Sequence, residues 1–330
     1  MSGRSRRAGT VLVAALLFLS GGWASTNADP VRSDTSRLVE IRPGPGRQTQ
    51  LVFYSTAMNR TIRMTLLRAA HPESPAPTLY LLNGSSGGSD GNWIDRTDLT
   101  DFFDDKQVNV VVLMDGAGSY FTDWRADDPV LGKQRWTTLL TQELPAVIDR
   151  EFHGTGANAI AGVSMAGTSV FQLAIAAPGF YRAIGSYSGC ARTSDLAGQA
   201  IVQAVVATQR GTVTNMWGPS GDPAWQANDP YLQADKLRGT SMYIAAGTGL
   251  PGPDDTLGAA HGDAVQLLYQ LMFGSPLEAV ANTCTRQLRE RLSAAGIPAT
   301  FDLRPSGTHS WGYWQDDLHK SWPQFEAALR

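Results

Sequence analysis

Apolar and polar positions alternate along this chain in short blocks whose period switches between two and about 3.6 residues. Residues 51–54 and 62–67 alternate with period two and read as an early antiparallel strand pair. Residues 78–82 form a short apolar strand that runs into Asn83-Gly84-Ser85-Ser86-Gly87-Gly88, a loop of permissive backbone. The block 108–114 is rich in Val and Leu without alternation, as expected of a strand buried on both faces. Leu139, Leu140, Leu144, Val147 and Ile148 form one stripe at helical spacing and predict a helix over 136–152. A strand at 157–163 passes directly into a helix at 165–177. Further strands are predicted at 183–188, 242–246 and 299–303, and helices at 277–295 and 322–329. Strands alternating with helices predict an α/β fold, a mostly parallel sheet covered on both faces.

The first residues break this pattern. Arg4, Arg6 and Arg7 precede an unbroken apolar run from Val11 to Leu19, and small residues follow near Ala24 and Ala28. This is the layout of an export signal. An uncleaved anchor is the alternative, but the run is shorter than the ~20 residues a spanning helix needs. Residues 1–28 are therefore assigned to signal peptide and leader, the polar stretch 26–37 is read as flexible, and 29–330 is read as one catalytic domain. The mature chain is expected to be secreted or held in the cell envelope, without a membrane span. Export gives meaning to the only two cysteines, Cys190 and Cys284, which are predicted to pair under oxidising conditions. With 330 residues, 42% hydrophobic, there is ample material for a core. A net charge of −3 with no basic block gives no footprint for nucleic acid. The histidines are scattered and neither cysteine lies in a C-x-x-C, so no metal site or cofactor is expected.

The strand-to-helix junction carries the chemistry. Gly162-Val163-Ser164-Met165-Ala166-Gly167 has the small residues that let a tight turn lift a Ser hydroxyl above the sheet edge, although Ala166 stands where G-x-S-x-G has its second glycine. Ser164 is the candidate nucleophile. His309 follows the last predicted strand, where this architecture places its base; His261, beside Asp263, is a fallback. His319, with Asp316 and Asp317, is read as a solvated helix face. By position Asp254, Asp255, Asp263 and Glu278 all qualify as the acid, and the residues alone do not choose. The backbone N–H groups of Met165 and Ser85 are the candidate oxyanion donors. A phosphate cradle in the 83–88 loop is excluded because no Gly-Lys-Ser/Thr follows.

From about residue 51 to the C terminus the chain resembles the mycolyltransferases of the antigen 85 complex and their relatives in actinobacteria that carry mycolic acids. The nucleophile turn matches, Ala166 included. So do Met216-Trp217-Gly218-Pro219-Ser220-Gly221-Asp222-Pro223-Ala224-Trp225 with Asn228-Asp229-Pro230, the stretch Tyr120-Phe121-Thr122-Asp123-Trp124, and Gly307-Thr308-His309-Ser310-Trp311 with Tyr313-Trp314. The resemblance implies an α/β-hydrolase fold with Ser164 as nucleophile, His309 as base and Glu278 as acid. It implies substrate contacts at Asn83, Ser86, Asp123, Trp124, Ser310 and Trp311. The implied reaction is transfer of a mycolyl group between trehalose-type glycolipids or cell-wall glycan. A carboxylesterase using the same triad is the alternative, and a non-catalytic carbohydrate-binding relative a third. The chain departs from the family at Asn83-Gly84-Ser85-Ser86, where the trehalose-using members carry a sugar-holding Asp and Arg, and in the arrangement of its cysteine pair.

Overall fold

The computed structural model describes residues 35–260 and 262–330; the signal and leader assigned to 1–28, the residues up to 34, and the fallback base His261 lie outside them. Nine strands form one sheet in the order β1-β2-β3-β5-β4-β6-β7-β8-β9. They are β1 (Arg37–Pro43), β2 (Gln48–Ser55), β3 (Arg60–Leu67), β4 (Ala76–Leu82), β5 (Asn109–Leu113), β6 (Gly154–Val163), β7 (Tyr181–Tyr187), β8 (Ser241–Ala246) and β9 (Thr300–Leu303). β1, β2 and β3 pair antiparallel, and β3 pairs antiparallel with β5. From β5 onward every pairing is parallel. This is the expected α/β arrangement, with the predicted early hairpin at its edge. β1 extends that edge into the stretch read as flexible leader: Arg37 pairs with Tyr54.

The central strands explain themselves by period two. Tyr80, Leu82, Val111, Leu113 and Ile160 point into one core, while Leu79, Leu81, Val110, Val112, Ala159 and Ala161 point into the other. Both faces are dry, so the strands read as continuous apolar runs. Thr35–Arg330 form one compact unit.

The helices depart from the sequence reading where prolines intervene. The helix predicted over 136–152 is three pieces, Trp136–Thr138, a π-turn at Leu139–Glu143, and Leu144–Glu151. Pro145 sits in the first turn of the last piece. A proline has no N–H for the i→i−4 ladder, and one extra residue in the turn before it accommodates the gap. The same device recurs before Pro276, where Ala264–Tyr269 and a π-turn at Gln270–Gly274 lead into the acid helix, Ser275–Ala294. The C-terminal helix runs from Trp311 to Leu329 with Pro323 inside it, so it starts eleven residues before the predicted 322. A helix at Leu196–Thr208, Ala- and Val-rich, escaped the sequence reading.

Candidate active site

β4, β6, β7 and β8 end side by side, and the loops leaving their C-terminal ends build the site, at the edge where open α/β sheets bind ligands. Ser164 links β6 to the helix Met165–Ala176 with φ 56° and ψ −122°, a strained backbone for a residue with a side chain. Its N–H donates to the Tyr187 carbonyl at 2.9 Å, tying the turn to β7. The small neighbours are sterically required. A Cβ on Gly162 would lie 2.7 Å from Ala166 Cβ and 2.8 Å from the Ala166 carbonyl oxygen, and one on Gly167 would lie 2.9 Å from Gly189 Cα. Ala166 fits because Gly162 leaves it room, which is why this turn tolerates a methyl where G-x-S-x-G has glycine.

Glu278 lies in the first turn of the acid helix and is wholly buried. Its Oε2 bonds His309 Nδ1 at 2.8 Å, and its Oε1 accepts from Ser188 Oγ at 2.9 Å and from the Gly247 N–H at 2.5 Å. A buried carboxylate bonded to these three partners is fixed in place. Of the four acids left open by position, this is the one the structure brings to His309. Asp255 instead accepts from Thr308 Oγ1, Tyr313 Oη and the Gly252 N–H, anchoring the histidine loop. Asp263 caps the helix Ala264–Tyr269. Asp254 lies beside Tyr313, and burial raises its carboxyl above the ordinary range, with Asp316 and Asp255 adding to the effect.

The imidazole of His309 is braced by Trp314, edge to face with ring centroids 5.0 Å apart, while Trp314 Nε1 donates to Ser188 Oγ at 2.9 Å. Ser188 thus joins ring and acid. Among the described residues no hydrogen bond joins Ser164 Oγ to His309 Nε2; such contacts often tighten only when substrate binds. The loop after β4 reaches the nucleophile, since a Cβ on Gly84 would touch Ser164 Cβ at 3.5 Å. Within that loop Gly87 N–H donates to Gly84 O at 3.0 Å and Gly118 N–H to Ser85 O at 2.9 Å. These bonds fix the backbone and leave the Ser85 N–H free of them.

Several expected substrate residues have internal tasks. Asn83 is buried, donating to Leu113 O at 2.6 Å and accepting from Trp93 N–H at 3.3 Å. Trp124 is buried and donates to Ser119 O at 3.0 Å. Ser310 is buried at the N-cap of the C-terminal helix. Asp123 accepts from Thr138 N–H at 3.1 Å and Thr138 Oγ1 at 2.6 Å. Asn83, Trp124 and Ser310 are thus enclosed and Asp123 is bonded to Thr138, so in this structure their polar atoms serve the fold. Ser86, bonded to Asp90, and Trp311, packed edge to face on Trp93 and Trp314, remain partly open.

Asp317 is a further correction. It was read as part of a solvated face, yet it is fully buried and ion-paired with Arg304, which also lies 3.6 Å from Glu278. Its helix begins eleven residues earlier than predicted, so the face it occupies was misassigned. Ser188, Gly247 and Arg304 were missed altogether; the only sequence signal for the first two was their place just after a buried strand.

Cys190 and Cys284 form a disulfide, as predicted. The segment before Glu278 shows an apolar stripe to solvent: Val265, Leu268, Tyr269, Met272, Phe273 and Leu277 are each more than half exposed. Their spacing of three and four residues puts them on one side of the helical run. Among the described residues no cluster of His, Cys, Asp and Glu is arranged for a metal ion, and no helix is long and apolar enough to cross a membrane.

Comparison with known proteins agrees with this geometry. The esterase family model, described as “Putative esterase”, matches residues 55–325. The diacylglycerol acyltransferase/mycolyltransferase Ag85A of Mycobacterium tuberculosis is 30% identical over 347 aligned positions, covering 100% of this chain and 93% of that protein. Its counterpart Ag85B of Mycobacterium leprae is 31% identical, covering 95% of this chain and 90% of that protein. Among solved structures, Mycobacterium tuberculosis MPT51 (FbpC1) superposes with a TM-score of 0.69 at 23% identity, over 88% of this chain and 98% of that one. An S-formylglutathione hydrolase from Agrobacterium tumefaciens gives 0.61 at 14% identity, over 89% and 100%. Both structural matches speak to the α/β-hydrolase fold.

Proposed function

This chain belongs to the esterase family, with mycolyltransferases among its relatives, and from that premise we propose that Ser164, His309 and Glu278 are the catalytic triad of an acyl transfer through an acyl-Ser164 intermediate. The observation that carries the reading is the Glu278–His309 bond at 2.8 Å, on the same sheet edge as the strained Ser164 turn.

Transfer proceeds in two halves. His309 Nε2 takes the Ser164 hydroxyl proton as Oγ attacks the ester carbonyl of the donor, and the oxyanion is held by the Ser85 and Met165 N–H groups. The imidazolium, balanced by Glu278, returns the proton to the leaving alcohol. In the second half an acceptor hydroxyl gives its proton to His309 and its oxygen takes the acyl group, freeing Ser164. The donor we propose is a long-chain, mycolyl-type ester of trehalose or a cell-wall sugar. The relatives' names and the exposed apolar stripe leading to Glu278 support it. Export is part of the proposal: the signal-like residues 1–28 and the disulfide fit a protein acting in the cell envelope.

Hydrolysis is the second reading. It is favoured by the loop after β4, where Asn83 is enclosed and Ser86 is bonded to Asp90, with no Asp–Arg pair to hold a sugar. The two readings share every step up to the acyl-enzyme and differ in what attacks it. A short acyl ester incubated with and without trehalose separates them: acylated trehalose supports transfer, and free acid alone in both tubes sinks it. Ser164→Ala is expected to abolish turnover and labelling by a serine-directed phosphonate. Absence of any Ser164-dependent activity in the wild type would instead leave a non-catalytic carbohydrate-binding protein.

A further inference from the structure

We propose that Arg304 and Asp317 are a positioning pair for Glu278: Asp317 draws the Arg304 guanidinium aside, so that Glu278 keeps its negative charge for His309. The proposal rests on the triad reading above and adds two residues that touch neither nucleophile nor substrate.

Arg304 leaves β9 at the start of the loop that ends in His309, and its side chain is only 10% exposed. One end of the guanidinium is ion-paired with Asp317 Oδ1, and Nη2 lies 3.6 Å from Glu278 Oε1. The cation is therefore shared between two buried carboxylates, the nearer of which is Asp317. Among the described residues the remaining polar atoms of the pair, Arg304 Nε and Nη2 and Asp317 Oδ2, have no hydrogen-bond partner. Asp317 faces Arg304 from the loop, Asp302 from β9, Glu278 from the acid helix, Tyr187 from β7 and Tyr243 from β8. On its other side Arg304 lies over the Tyr313 ring, 5.3 Å from its centroid.

In so dry a setting the guanidinium is a competitor as well as a neighbour. A cation that settles on Glu278 offsets the charge needed to stabilise the imidazolium formed when His309 accepts the Ser164 proton. An ionised Asp317 prevents that by matching Arg304. With Asp317 protonated, Glu278 is the ionisable partner left within ion-pair distance of the guanidinium among the described residues, with Asp302 farther off. Burial raises the Asp317 carboxyl to about 7, against the opposing pull of Arg304, which puts this change near neutrality.

The test measures kcat and KM for p-nitrophenyl butyrate between about pH 5.5 and 8.5. It uses the wild type, Asp317→Asn, and Arg304→Gln combined with Asp317→Asn, with Ser164→Ala as blank. Asp317→Asn should lose about tenfold in kcat at the alkaline end with KM changed less than about twofold, and the deficit should shrink toward the acidic end. The double variant, lacking the competing cation, should match the wild type at high pH and exceed it at low pH. A wild-type-to-variant ratio independent of pH in both variants overturns the proposal, because a merely structural role lowers activity equally at every pH. Should Asp317→Asn not fold, the double variant decides alone by the same comparison. Wild-type turnover that does not depend on Ser164 would be a failure of the triad reading instead.

Discussion

Ser188 donates to Glu278 through a backbone that few serines adopt: Oγ lies 2.9 Å from Oε1, and the residue has φ 56°. It accepts from Trp314 Nε1 at the same time, so one hydroxyl fixes both the acid and the ring that braces His309. Ser188→Ala removes a donor to a buried carboxylate, a bond worth roughly 1.5–3 kcal/mol. About a tenfold or larger fall in kcat is expected, with KM little changed. Ser188→Gly loses the same bond but relieves the positive φ, so it should be as slow as the alanine variant yet more stable by about 1 kcal/mol. Equal stability of the two variants would show that the backbone there is not strained.

The disulfide ties together the two segments that carry this contact. Cys190 lies just past Ser188 on the loop leaving β7, and Cys284 lies less than two turns beyond Glu278 on the acid helix. Closing a loop with a sequence separation of 94 contributes on the order of 4–5 kcal/mol in the chain-entropy model. Replacing both cysteines by serine should lower Tm by roughly 10 °C and reduce kcat more than it raises KM. Thiol titration of the unfolded wild type before and after reductant checks the premise: two thiols before reduction would refute the bond.

The nucleophile turn makes a steric prediction. Gly162→Ala places a methyl among Ala166 Cβ, C and O, all within 2.8 Å. Overpacking of this kind costs roughly 1–3 kcal/mol, and here the strain falls on Ser164 itself, so phosphonate labelling should slow more than Tm drops. Ala166→Gly should not rescue it, because two of the three crowding atoms are backbone. Full recovery in the double variant would mean that the turn adapts.

How far the sequence could be read follows from the range of the forces involved. The strands and the nucleophile turn are local: period-two apolar runs and small residues around Ser164 carry their own signals. Glu278 was one of four acids open by position, since what selects it is contact with Ser188 and Gly247 across the sheet edge. Asp317 was misread as solvated because a helix starting at 311 rather than 322 faces differently, and no local signal marked a buried Arg304 as its partner. Asn83 and Trp124 resemble binding residues of the family in sequence alone; only packing shows that their polar atoms serve the backbone.

The same buried carboxyl that tunes the site should weaken the fold as pH rises. Asp317 has its carboxyl raised to about 7 by burial in the native chain, against about 3.9 in an unfolded one. Between those values the native state holds a proton that the unfolded state has released. The stability this gives is complete below about pH 4 and is lost as pH rises through about 7, an amount of order 4 kcal/mol. Asp317→Asn has no such titration. Urea denaturation at about pH 5 and 8 should therefore show the stability difference between the two proteins shifting by a few kcal/mol in favour of the variant as pH rises, whatever its sign at either end. Parallel curves would place the Asp317 carboxyl outside this range and remove the basis for its pH-dependent effect on Glu278. If the shift is found, activity and stability draw on opposite charge states of one residue: the ionised form frees Glu278 for His309, and the protonated form is the one the dry interior prefers.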